Sequence, residues 1–200
     1  MTEPPYAATR GTYAKLVVVP AIWGGTFIAG RILALAVPAA VGSLLRFIVA
    51  VLALMAAAWW LEGGLPRLTR RQLIGTLLLG ATGIFAYNLF FLGALARLPA
   101  SRTSLIIALN PIVTIAAASL LLGERMSARR WLGVAVALAG VWIVVSRGDV
   151  LGSVAGAVGL GELLMFGGVC SWAAYTLIGR RVLAGLTPLA ATTWAALWGV

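Results

Sequence analysis

The sequence predicts an all-α transmembrane protein. Of its 200 residues 62% are apolar and only 10% are charged, against about 45–50% and about 25% in an ordinary soluble domain. Mean hydropathy is +1.05. The apolar residues also fall into runs of about 20, the length that crosses a bilayer core. A soluble globule needs a polar skin that this composition does not supply, so lipid must solvate much of the surface. The runs are long, rich in Ala and Leu and do not alternate, which favours helices over strands.

Six complete spans are predicted: Lys15–Leu35, Ala39–Leu61, Gln72–Ala96, Ser101–Leu122, Trp131–Ser146 and Leu160–Gly179. The fifth is short and is expected to extend into its flanks. A seventh run begins near Pro188 and is still apolar at Val200. It is too short to span, so the chain is expected to stop inside a helix. Trp59, Trp60 and Trp131 fall near helix ends and read as interface anchors. Met1–Thr12 is short and polar. Leu33-Ala-Leu-Ala36 has some likeness to a signal cleavage site, but the first run is long enough to span and further spans follow at once.

The net charge is +10, yet the basic residues sit in short clusters between apolar runs and form no face of a soluble fold. That pattern argues for topology signals and against nucleic acid. With the N-terminus cytoplasmic, Arg10, Lys15, Arg67, Arg70, Arg71, Arg125, Arg129, Arg130, Arg180 and Arg181 lie inside. Arg31, Arg97, Arg102 and Arg147 then lie outside. The positive-inside rule selects this orientation. The expected location is the cell (inner) membrane, multi-pass, with the N-terminus cytoplasmic.

No catalytic or metal constellation is present. There is no histidine, and Cys170 is the single cysteine. It is expected to be a small buried apolar residue. No HExxH, Walker A or Gly-x-Ser-x-Gly pattern occurs. The chain is therefore read as a non-enzyme without cofactor or metal.

The Gly-rich stretch from Arg147 to Gly159 divides the chain into a first five-helix unit (1–146), a linker (147–159) and the start of a second unit (160–200). Five helices before the boundary would invert the second unit. Trp23…Gly30-Arg31 and Trp172…Gly179-Arg180 recur in step, 149 residues apart, and Pro38 and Pro188 open the next helices.

Seven residues are candidates for solute binding: Trp23, Arg46, Tyr87, Asn88, Asn110, Pro111 and Trp172. Pro111 lacks an N–H and clashes with the carbonyl of Ile107, so the fourth helix should bend there and offer that carbonyl to a cavity. Asn110 is at the same depth, facing solute or a neighbouring helix. Asn88, beside Tyr87 in the third helix, is open to a cavity role or an interhelical bond. Arg46 is costly within a span and calls for a solute carboxylate, a structural pair or snorkelling to headgroups. Trp23 and Trp172 fit either a cavity wall or packing against small residues. Gly133, Ala137 and Gly140 share one face and predict close helix packing. Glu162 is the one carboxylate open to proton coupling. Glu62 and the Glu124–Arg125 pair read as helix-end surface charges.

Leu98-Pro-Ala-Ser-Arg-Thr-Ser104, Asn110-Pro111, Leu121-Leu-Gly-Glu-Arg-Met-Ser127, Trp131-Leu-Gly133 and Ala139-Gly140 together resemble the EamA-type families of the drug/metabolite transporter superfamily, as do Trp23-Gly24 and the segment Trp172–Arg181. The resemblance implies ten helices in two inverted five-helix repeats, of which about six and a half are present. It also implies cytoplasmic termini and a solute cavity between the halves. The expected function is a secondary transporter, an exporter, of small organic solutes such as amino acids, metabolites or drugs, working by alternating access. The missing carboxylate in the first helix departs from the small multidrug exporters of the superfamily and puts their proton-coupled exchange in doubt. The partners are a small solute and membrane lipid; proton or other ion coupling and oligomeric state stay open. A second reading is a non-transporting integral membrane protein on the same scaffold, such as a lipid-handling or assembly factor.

Overall fold

The structure is a computed structural model describing residues 10–123, 126–146, 158–182 and 185–200. The Glu124–Arg125 pair and the linker from Arg147 to Ala157 lie outside the described residues. Every regular element described is helical. These are α1 (Arg10–Ala36), α2 (Ala39–Glu62), α3 (Arg70–Leu79), a π-helical segment (Gly80–Ala86), α4 (Tyr87–Leu95), α5 (Ala100–Ile107), α6 (Asn110–Leu122) and α7 (Ala128–Val145). They are followed by α8 (Leu160–Val182) and α9 (Pro188–Gly199). Five spans are long and apolar enough to cross a membrane: Gly11–Ala36, Ala39–Glu62, Arg70–Leu95, Ala100–Leu122 and Leu160–Val182. α7 is not among them. It has 18 residues and carries Arg129 and Arg130 in its first turn.

Local chemistry sets the helix boundaries. Pro38 precedes α2, and Gly63 ends it in the left-handed region (φ 75°), donating to the Trp59 carbonyl while Gly64 donates to that of Ala58. Thr69 and Gln72 form a reciprocal capping box on α3. Thr187 caps α9, with Pro188 in its first turn.

Polar contacts sort the helix ends into two sets. At one end α1 meets the end of α4, where Arg31 donates to the Leu95 carbonyl. There the start of α5 meets the end of α7 and the start of α8 through Arg102. At the other end, the close of α2 meets α9 through Glu62 and Thr187, and α3 meets the α8–α9 connection through Gln72 and Gly185. α1 therefore runs toward the end from which α8 departs, and the two helices are antiparallel. Arg31, counted on the outer side and within the first predicted span, lies near the end of α1 and is held by a carbonyl that has lost its helical partner.

The core is centred on α4. Phe91, Leu92, Leu95, Leu98, Ile106, Leu109, Met165 and Val169 are buried together. Large apolar side chains outside it are exposed along α1, α2, α6 and α7, as a lipid-solvated surface requires. Trp59 and Trp60, 76% and 85% exposed, stand at the end of α2. Cys170 corrects its expectation: it is exposed, because the helical period sets it on the outer side of α8 with Leu163 and Phe166. The small-residue face of α7 is also corrected. α7 turns Val141 and Val145 to the core, and an added methyl on Gly133 or Gly140 would meet nothing within 4 Å.

Close approach is needed instead at the π-helical segment. A Cβ on Gly83 would stand 2.1 Å from Cδ2 of Tyr175 on α8, and one on Gly80 2.6 Å from the Ala195 carbonyl of α9. Gly83→Ala is expected to cost about 1–3 kcal/mol through overpacking, read as a lower thermal-unfolding midpoint in detergent. Gly133→Ala, in open space, should be neutral or mildly stabilising. Equal effects of the two would overturn this packing account.

Candidate functional site

A cavity of about 630 Å³ opens among α1, α2, α4, the α5–α6 break and α8, within the size range of small-molecule sites. α1 contributes Trp23 and Phe27, α2 Arg46, α4 Tyr87 and Phe91, α6 Asn110 and Pro111, and α8 Trp172. Six of the seven residues singled out from sequence therefore line one space; the seventh, Asn88, does not.

Five aromatic rings form the wall. Trp23 meets Trp172 edge to face at 6.2 Å. Tyr87 lies 5.1 Å from Trp172 and stacks on Phe91 at 5.8 Å. Phe27 meets Phe91 at 5.4 Å. Trp23 is 56% exposed and takes the cavity-wall alternative. Phe27 and Phe91 were not foreseen. Each lies four residues beyond a predicted wall residue, Trp23 and Tyr87, and so on the same helical face. That spacing was the signal available for finding them.

Arg46 neither snorkels nor finds an ionic partner. Its guanidinium carbon stands 5.8 Å above the Phe91 ring, a cation–π contact. Its Nη1 is buried without a hydrogen-bond partner. Among the described residues no carboxylate pairs with it; the ion pair there joins Arg102 and Glu162.

The bend expected at Pro111 comes one turn earlier. Proline clashes with the carbonyl four residues back, so α5 ends at Ile107 and α6 begins at Asn110. Pro111 then occupies the first turn of α6, where its missing N–H costs nothing. The break brings the Ile107 and Ala108 positions to the cavity wall. Asn110 faces the cavity rather than a helix partner, and its Oδ1 is buried without a hydrogen bond.

Asn88 takes neither alternative weighed for it. It is 3% exposed and donates from Nδ2 to the Ile84 carbonyl of its own helix at 2.8 Å. One residue beyond Tyr87 turns it about 100° away from the cavity face. Ser171 of α8 donates to the Thr82 carbonyl at 2.7 Å. Both carbonyls belong to the π-helical segment, where they also accept from the Tyr87 N–H.

Glu162 is 8% exposed. It pairs with Arg102 at 2.8 Å and accepts from the Gly159 N–H at 3.0 Å. Arg102 also donates to the Val145 carbonyl at 2.5 Å. The pair ties α5 and α7 to α8 at one end of the bundle, away from the cavity.

The EamA-like transporter family model matches residues 12–146. The chain belongs to this family. It is 32% identical over 155 residues to the uncharacterized transporter YyaM of Bacillus subtilis (strain 168), which covers 77% of this chain and 50% of that one. It is 25% identical over 191 residues to the uncharacterized transporter YetK of the same organism, covering 94% and 57%. It is 35% identical over 133 residues to a protein named a probable terminal-alkyne amino-acid exporter, from Streptantibioticus cattleyicolor, covering 66% and 44%. The chain spans about half the length of the curated relatives it matches. No solved structure matches it. Family and helices together make it a multi-pass membrane protein of a transporter family.

Removing the charge of Glu162 takes from the largely buried Arg102 the carboxylate that stands 2.8 Å away. Glu162→Gln is expected to cost about 3–5 kcal/mol, as for other buried pairs broken from one side. Glu62→Gln, whose partner is the exposed Thr187 hydroxyl, should stay within about 0.5 kcal/mol. Thermal-unfolding midpoints of both variants check this; equal shifts would reduce the Arg102–Glu162 pair to a surface contact.

Proposed function

We propose that the protein is a secondary transporter of small organic solutes, acting as an exporter, in which the aromatic cavity is the solute site and Trp23, Arg46, Tyr87, Asn110, Pro111 and Trp172 form its wall. The observation that carries this reading is the convergence of those residues, from elements on both sides of the Gly-rich boundary, on one cavity of about 630 Å³. A scaffold with no solute to hold would not need two buried, unsatisfied polar atoms at such a place.

Alternating access between two inverted repeats is supported by the chain direction. α1 and α8, whose Trp…Gly-Arg patterns recur in step, are antiparallel, and their equivalent tryptophans touch across the cavity. A two-fold axis in the membrane plane would relate helices in this way. An orientation with the N-terminus in the cytoplasm fits the basic clusters, since Arg67, Arg70, Arg71, Arg129, Arg130, Arg180 and Arg181 gather toward one end of the bundle. No carboxylate among the described residues lines the cavity, which favours coupling to something other than a cavity acid.

Flux of amino acids, organic acids and amphipathic drugs from proteoliposomes holding the full-length protein tests this. Saturable flux of at least one class is expected, falling at least tenfold on Trp172→Ala. Absence of saturable flux across the panel would overturn the reading in favour of a non-transporting membrane protein.

A further inference from the structure

Charge and hydrogen-bonding capacity in the cavity are one-sided. Arg46 is the single charged residue on the described wall, and it is cationic. The described carboxylates, Glu62 and Glu162, are engaged elsewhere, with Thr187 and Arg102. Two threonines of the wall are also occupied: Thr26 donates to the Trp23 carbonyl at 2.7 Å and Thr176 to that of Trp172 at 2.9 Å. The buried polar side-chain atoms of the wall that have no partner are Arg46 Nη1, a cationic donor, and Asn110 Oδ1, an acceptor.

A guanidinium donor inside a membrane protein is stabilised most by an anion whose oxygens match its planar fork, and a carboxylate is the small-molecule group that does so. The Phe91 ring covers the guanidinium at 5.8 Å. That contact provides partial compensation while the cavity is empty and leaves Nη1 free to bond. The rest of the wall is aromatic and suits a flat or apolar body. An ammonium group would find no carboxylate here, and beside Arg46 it would meet a like charge.

We propose that this cavity selects monocarboxylates with an apolar, aromatic-sized body, Arg46 taking the carboxylate and Asn110 Oδ1 accepting from an adjacent hydroxyl or N–H, with no requirement for an ammonium group. The proposal rests on the cavity being a solute site, and adds the sign of the charge it recognises. It separates three solutes of nearly one shape: 3-phenyllactate, an anion with a hydroxyl donor; phenylalanine, a zwitterion; and phenethylamine, a cation.

Isothermal titration of the three with the detergent-solubilised protein tests it. The expected order is 3-phenyllactate at least as tight as phenylalanine, with phenethylamine at least tenfold weaker than either. Arg46→Gln should weaken both carboxylates at least tenfold and leave phenethylamine unchanged or improved, and Arg46→Lys should restore part of the loss. The order on the unaltered protein decides the matter even where Arg46→Gln does not fold. Phenethylamine binding as tightly as 3-phenyllactate, binding by none of the three, or full carboxylate affinity in a folded Arg46→Gln protein would each overturn the proposal. Flux of the same probes is read separately. Binding in the expected order without flux removes the transport reading and keeps this one; flux that ignores the charge removes this one alone.

Discussion

A backbone carbonyl in hydrocarbon has no water to turn to, and the architecture follows from that constraint. Each place where a span departs from regular α-helix needs a substitute donor or access to a polar space. At the π-helical segment side chains add to the backbone bonds: Asn88 bonds the Ile84 carbonyl from within the helix, and Ser171 bonds the Thr82 carbonyl from α8. At the ends of α4 and α7 they are arginines, Arg31 on the Leu95 carbonyl and Arg102 on that of Val145. At the Ala108–Leu109 break the chain turns to the cavity. The irregular backbone is thus where α8 is fastened and where the site opens. The regular helices between need only apolar surface.

The same constraint explains why the cavity has the wall it has. Aromatic rings can line a polar space and still pack behind it, because one face serves each side. Phe91 does this directly: it is 3% exposed, belongs to the main core and supports the guanidinium of Arg46. A residue that anchors the core and carries the site's charge couples stability to the position of that charge. Any loss of Phe91 would therefore remove packing and the guanidinium's cover together.

Spans were legible because run length and composition are properties of the solvent, and the solvent here is lipid. The cavity wall was legible where polar or aromatic residues stand out against an apolar background, as Arg46, Asn110 and Trp172 do. What could not be read was rotational phase. Assigning Asn88 to a face requires counting at 3.6 residues per turn, and the π-helical segment just before it changes that count. Cys170 and the Gly133–Gly140 face failed for a related reason. In a membrane helix both sides are apolar, so the pattern that separates core from surface in a soluble helix is nearly absent. Arg102 and Glu162 are 60 residues apart in sequence, and nothing local signals their pairing.

Carboxylates are scarce, and the described ones stand away from the cavity. Of five in the chain, the two described ones close opposite ends of the bundle: Glu162 binds the end shared by α5, α7 and α8, and Glu62 the end shared by α2 and α9. Neither lines the cavity. A buried acid there would have compensated Arg46 permanently and removed any advantage in binding an anion. With the described acids at the ends, Arg46 has no carboxylate partner among the described residues, and the two ends are tied by contacts of different kind. The Arg102–Glu162 pair is buried, whereas the Glu62–Thr187 bond is exposed. A polar contact is easier to exchange for water at an exposed end than at a buried one.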